Sequence, residues 1–362
     1  MSTFLKGMEL CENFFADCAK TVIETHFPGM AYSAGLIGYG SDVLGYDDAV
    51  STDHMWGPRF YLFVSEQDAA RKEDLFRTLS ENLPYTYRGY SVNYSEPDPN
   101  DCGVRHPERI CSGTVHPLLW IQTFDSYLTE QLGVCDLDRI SPCEWLAFSE
   151  HRLLSLVSGK FFVDGLGCGE RIAKIQYYPP AVRQYLIASN WANIAAEQAF
   201  VKRCGDCGDE TGSRIICARL CERLMRLCFL YKSVYAPYSK WFGTAFRRLD
   251  IDGRIKRAIG GALSASSLLQ RETLLVEAQA AVAELHNASG VTEFVPYQIE
   301  DYFGRNIKVI FAERFAEAAA KGLAGTALEN VPLFGSLSQI GGVASIADEE
   351  RFYKPVMGLY MG

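Results

Sequence analysis

Apolar positions Leu10, Phe14, Cys18 and Val22 recur every four residues between Met8 and Phe27, the period of a helix with one buried face. Pro28-Gly29 stops it. The run AYSAGLIG that follows is short, apolar and punctuated by glycine, and it predicts a buried strand from Ala31 to Ile37 that ends in the turn Gly38-Tyr39-Gly40-Ser41. Arg59-Phe60-Tyr61-Leu62-Phe63-Val64 is rich in side chains that favour a pleated, buried surface, and predicts a second strand. A helix is expected over Glu66–Asn82, and further strands over Tyr87–Tyr94 and His116–Phe124, with the polar, proline-containing stretch from Glu96 to Gly113 as a surface loop. After about Ser141 the period becomes helical, over Pro142–Val157, Ala181–Lys202, Ser213–Val234 and Leu263–His286. The pattern divides the chain into a mixed α and β part, residues 1–140, and a mostly helical part, residues 141–362. Three glycines between Asp164 and Gly169 mark a hinge or junction between the halves.

Composition sharpens this picture. At 362 residues the chain exceeds one ordinary domain, and 48% hydrophobic with 22% charged residues is the balance of packed, globular cores. Acidic and polar residues interrupt the N-terminus before any long apolar run, so neither an export signal nor a membrane span is expected. Twelve irregularly spaced cysteines then read as reduced thiols, and the expected location is cytoplasmic. A net charge of -9 argues against general nucleic-acid binding. The charge is uneven: Leu36 to Asp101 carries 12 acids and 5 bases, whereas Arg219 to Arg257 carries 10 bases and 3 acids. Such a division suits carboxylates that hold a cation and Lys/Arg that hold phosphates, and equally suits two solvated faces of opposite sign.

The stretch with chemical content is Gly38-Tyr39-Gly40-Ser41, then eleven residues, then Asp53-His54-Met55. Glycine permits close backbone approach to a ligand, serine donates to a phosphate oxygen, and an aspartate offers oxygen to a hard cation. The same residues also describe an ordinary turn with a capping aspartate. The full segment GLIGYGSDVLGYDDAVSTDHMWGPRFYLF, with GDETGSRIICARL and YAPYSKWFGTAF, resembles a bacterial family of nucleotidyltransferase-like proteins whose C-terminal region is domain of unknown function 4037 (DUF4037).

The resemblance implies an α+β chain: a nucleotidyltransferase-type mixed sheet with flanking helices, followed by a mostly helical C-terminal domain. It implies phosphate binding at Gly40 and Ser41, a catalytic and metal-binding Asp53, Mg²⁺ as cofactor, and an NTP as substrate or ligand. The partner would be a nucleotide and an unidentified acceptor, with no membrane involved. The family triplet wants a second carboxylate two residues after Asp53, and Met55 stands there. A thioether is a poor ligand for Mg²⁺. Asp42, Asp47 and Asp48 are nearby substitutes, and Glu96 or Asp125 are candidates for a third acid. His54 faces the pocket or makes an ordinary hydrogen bond. Arg59 at the mouth of the second strand either clamps a phosphate or pairs with Asp53, and Trp56 either stacks on a base or packs.

In the second half, Arg219, Arg223 and Arg226 share one face of a helix that leads into Tyr231-Lys232 and Tyr235-Ala236-Pro237-Tyr238-Ser239-Lys240-Trp241. Lys232 and Lys240 are expected to neutralise phosphates and Tyr238 or Trp241 to pack on a nucleobase, the alternative being aromatic core with lysines reaching water. Asp209 and Glu210 cap that helix or supply a base. Cys204 and Cys207 with Cys217 and Cys221 do not read as a zinc site, because the second pair lies in an apolar-periodic helix at a spacing that suits buried thiols. Three functions remain in play: transfer of a nucleoside monophosphate to a hydroxyl or amine, nucleotide or anion binding by a degenerate homologue, and a protein-interaction module on a relic fold.

Overall fold

The computed structural model describes residues 4–52, 55–340, 351 and 353–361. The chain opens with helix α1 (Gly7–Phe14), a π turn over Phe15–Ala19 and helix α2 (Lys20–His26), which realise the helix expected over Met8–Phe27. The wider turn takes one extra residue. Phe14 and Phe15 therefore both reach the core, and the buried line moves from the expected Cys18 and Val22 to Ala19 and Ile23.

Next in order come strands β1 (Tyr32–Leu36) and β2 (Arg59–Val64), helix α3 (Lys72–Asn82), strands β3 (Thr86–Tyr87), β4 (Tyr90–Ser91) and β5 (Leu118–Thr123), and helices α4 (Phe124–Leu132), α5 (Pro142–Ala147) and α6 (Glu150–Val157). Strand β6 (Lys160–Asp164) and helix α7 (Cys168–Ala173) follow. The strand expected over Tyr87–Tyr94 shrinks to the β3–β4 hairpin, because Arg88 and Gly89 both take positive φ, 49° and 88°, and turn the chain back.

The fold is α+β. Four strands form a mixed sheet in the order β5-β2-β1-β6, with β1 antiparallel to β2 and β6 and with β2 parallel to β5. Every residue of β1 and β2 is buried, as expected of central strands that read as continuous apolar runs. The β1–β6 register shifts between Ala34 and Gly35, where a Cβ on Gly35 would lie 2.4 Å from the Lys160 carbonyl oxygen. Only glycine lets the two backbones approach so closely there. One face of the sheet buries Phe60, Leu62 and Val64 against Phe14, Phe15 and Ile23 and against Leu75 and Leu79 of α3.

Two compact units result: Met1–Arg139 with Arg152–Gln176, and Ile140–His151 with Tyr177–Gly362. The sequence boundary at 140 is thus corrected for one segment, because β6 pairs with β1 and brings residues 152–176 into the first unit. The glycine-rich loop after β6, expected to be a hinge, is inside that unit. Asp164 holds it by accepting from Ser33 Oγ (2.6 Å) and from the backbone N–H groups of Cys168 (2.8 Å) and Gly169 (2.9 Å).

The second unit is mostly helical, with α8 (Pro180–Glu197), α9 (Phe200–Asp206), α10 (Glu210–Tyr231), α11 (Ser239–Arg248), α12 (Gly253–Ser264), α13 (Leu268–Ser289) and α14 (Glu313–Lys321). The helix expected over Pro142–Val157 breaks at Phe148, whose ψ of 143° is extended. That expected from Leu263 to His286 breaks before Ser267, whose Oγ caps α13 by accepting from Gln270 N at 3.2 Å. No described helix is long and apolar enough to cross a membrane.

Candidate functional site

Strand β1 delivers the chain into Gly38-Tyr39-Gly40-Ser41, and the Ser41 carbonyl gathers the next loop by accepting from Tyr46 N (2.8 Å) and Asp47 N (3.1 Å). Gly40 has φ 128°, and a Cβ there would lie 2.2 Å from Asp42 Oδ1 and 2.5 Å from Arg59 Nη2. The protein's own ion pair therefore already requires glycine at this position. Ser41 is half-buried, and its hydroxyl makes no hydrogen bond among the described residues.

Arg59 begins β2 and is 2% exposed, against 3% for Asp42. Its Nη2 donates to Asp42 Oδ1 (2.7 Å) and to the Tyr39 carbonyl (3.2 Å), its Nη1 donates to the Met55 carbonyl (2.8 Å), and the guanidinium sits 4.8 Å from the Tyr39 ring centroid. Its partner among the described residues is thus Asp42, a pairing not among the sequence expectations. Burial pushes the Asp42 carboxyl above its ordinary pKa, and the charge of Arg59 only partly offsets this. Burial is the largest effect and opposes the Arg59 charge, but Asp42, together with the surrounding Tyr39, Cys11 and Tyr61, outweighs it and holds the guanidinium protonated.

The other acids named from the sequence are also engaged. Asp47 is buried and accepts from Gly7 N (2.7 Å) and Trp56 Nε1 (3.3 Å), with Lys6 Nζ at 3.2 Å. Asp48 is exposed and closes its own turn by accepting from Val50 N and Ser51 N. Glu96 lies 3.4 Å from His116, and Asp125, in the first turn of α4, pairs with Arg171 at 2.6 Å. Trp56 packs, stacked on Phe4 at 5.5 Å and edge-on to Tyr90 at 5.0 Å. Asp53 and His54 lie outside the described residues.

These donors do not fit a resident Mg²⁺. Asp42 and Asp47 have their charge met by Arg59 and Lys6, β5 contributes no carboxylate, and no three His, Cys, Asp or Glu side chains gather to hold a metal among the described residues.

The remaining expected residues belong to the second unit. Lys232 and Lys240 are exposed, the latter with Nζ 5.4 Å from the Trp241 ring centroid. Tyr238 is half-buried with its ring 4.6 Å from that of His151, while Tyr235 is buried against Tyr177 and Tyr178 as aromatic core. Asp209 caps α10 by accepting from Gly212 N at 2.8 Å, and Glu210 pairs with the buried Arg271. Tyr238 also lines a cavity of about 520 Å³ within this unit, together with Glu150, His151 and the arginine stripe of α10. The stripe was visible as a period in the sequence. Glu150 was not, because only the fold brings it against Arg226 (3.5 Å) and under the Ala236 N–H (3.0 Å).

No curated protein matches the chain. Among solved structures, the chain is similar to the nucleotidyltransferase-like protein from Exiguobacterium sibiricum 255-15, with 14% identity, 76% of each chain covered and a TM-score of 0.34. Residues 145–242, from α5 into α11, match the family model described as a domain of unknown function (DUF4037), the same domain that the sequence motifs resemble.

Proposed function

We propose that the chain is a nucleotidyltransferase-like protein that binds the phosphates of a nucleotide or a related anion without turning it over. The observation that carries this reading is the Ser41 hydroxyl. It stands half-buried and unbonded among the described residues, in a turn fixed by the buried Asp42–Arg59 pair at the end of a central strand. Binding without transfer is favoured because Met55 replaces a carboxylate and the buried acids of the turn, Asp42 and Asp47, are already met by Arg59 and Lys6. Asp53 is the one carboxylate of the motif left to meet Mg²⁺ brought in by a triphosphate. The twelve unpaired thiols suit a reducing, cytoplasmic compartment.

Calorimetric titration of the full chain with ATP and GTP, with and without Mg²⁺, tests the reading. Ser41→Ala should weaken binding by about tenfold, the scale of a hydrogen bond to a charged group. Asp53→Asn should remove only the Mg²⁺-dependent part. Silence with every NTP would sink the proposal. Pyrophosphate release from labelled NTP would instead show that transfer is retained.

A further inference from the structure

The cavity in the second unit has a charge imbalance that its own side chains do not resolve. Three arginines of α10 line it, and two are matched: Arg226 bonds Glu222 (2.8 Å) and reaches Glu150 (3.5 Å), and Arg219 pairs with Glu197 (3.1 Å). Arg223, between them on the same face, has neither a hydrogen bond nor an ion pair among the described residues, and its Nη1 is buried with no acceptor. Burial lowers its pKa, and Arg226 beside it lowers it further. Arg223 is half-buried, and a guanidinium with one nitrogen enclosed and no acceptor for it costs stability, so its retention needs a reason. The two carboxylates that line the cavity, Glu150 and Glu222, are both held by Arg226, and Glu150 also accepts from Ala236 N.

Shape and surroundings agree with a ligand. The volume of about 520 Å³ is that of small-molecule sites. Ser239, Phe242 and Gly243, from the first turns of α11, line the same space, and that helix has no side-chain cap. Uncapped N–H groups of a helix start favour an anion. The tilted rings of His151 and Tyr238 add a flat wall.

We propose that this cavity binds the phosphate group of a small organic molecule, seated on Arg223 and the start of α11, with a flat ring of the ligand against Tyr238. The site lies wholly within the second unit and does not depend on the nucleotide reading of the Gly40–Ser41 turn.

The test is calorimetry on the full chain with inorganic phosphate, pyrophosphate and AMP, alongside thermal melts. Wild type should bind at least one of the three, AMP most tightly if the ring is held, and the ligand should raise Tm. Arg223→Gln should raise Kd about tenfold or more and abolish the Tm shift, while the ligand-free variant melts at the wild-type temperature or above it, since a half-buried, unmatched charge is gone. Lys321→Gln, an exposed charge on α14, should leave binding unchanged. No binding by wild type to any of the three overturns the proposal. So does Arg223→Gln with wild-type affinity, or loss of the signal in Ser41→Ala with retention in Arg223→Gln, which would place the ligand in the first unit.

Discussion

Asp42 and Arg59 are 2.7 Å apart and almost completely enclosed, so each is tolerable only because of the other. Asp42→Asn should therefore cost about 3–5 kcal/mol in urea unfolding, since it leaves a buried guanidinium without its counter-charge. The double change Asp42→Leu with Arg59→Met should recover most of that loss; a double variant as unstable as the single would mean that the loop and not the pair sets the cost. The pairing also marks a limit of sequence reading. The glycines, Ser41 and Arg59 stand out by type and position, but nothing in the chain says that Arg59 turns to Asp42, seventeen positions earlier. By sequence alone Asp42 reads as a spare metal ligand, and only burial and distance turn it into half of an ion pair.

Helices α8, α10 and α13 meet around a chain of polar groups whose donors can be ordered. Trp191 Nε1 donates to Tyr231 Oη (2.8 Å), and Thr292 Oγ1 donates to the Glu293 carbonyl (2.7 Å). The His286 ring lies between them, with Nδ1 2.8 Å from Tyr231 Oη and Nε2 2.7 Å from Thr292 Oγ1. Tyr231 must then donate to Nδ1 while Nε2–H donates to Thr292, which fixes the neutral ring. Burial lowers the His286 pKa from 6.5 to about 4. The unfolded chain takes up a proton near pH 6.5 and the folded chain does not until about pH 4, so this contribution is whole above that window and declines as pH falls through it. The decline should approach about 1.4 kcal/mol per pH unit. Urea midpoints from pH 7 to 4.5 should show it, and His286→Gln, which keeps one donor and one acceptor, should flatten that slope; an equally steep profile in the variant would assign the dependence to other groups. Legibility at this scale follows burial. β1 and β2 are plain because every position except Arg59 is apolar, aromatic or small, and all are enclosed. β6, Lys-Phe-Phe-Val-Asp, was missed because its ends are exposed and it sits among segments of helical period.

That missed strand decides how the molecule divides. β6 is the outer neighbour of β1, and Ser33 and Asp164 bond across the pair at 2.6 Å. A boundary drawn from periodicity alone cuts at 140 and removes both the strand and the loop that Asp164 caps, because a shift from mixed to helical pattern signals a change of composition and not a change of unit. A chain of residues 1–140 should therefore expose the whole edge of β1, whose five residues are otherwise buried, and unpaired apolar edges recruit other strands. It is expected to aggregate or to lack a cooperative melt. Residues 1–176 restore β6 and α7 and should give a dispersed monomer with slowly exchanging amides in β1, even though the inserted segment 140–151 has lost its own unit. Sedimentation and hydrogen exchange on the two fragments separate the cases. If 1–140 were monomeric and as protected in β1 as the longer fragment, β6 would be an accessory to the sheet and the boundary at 140 would stand.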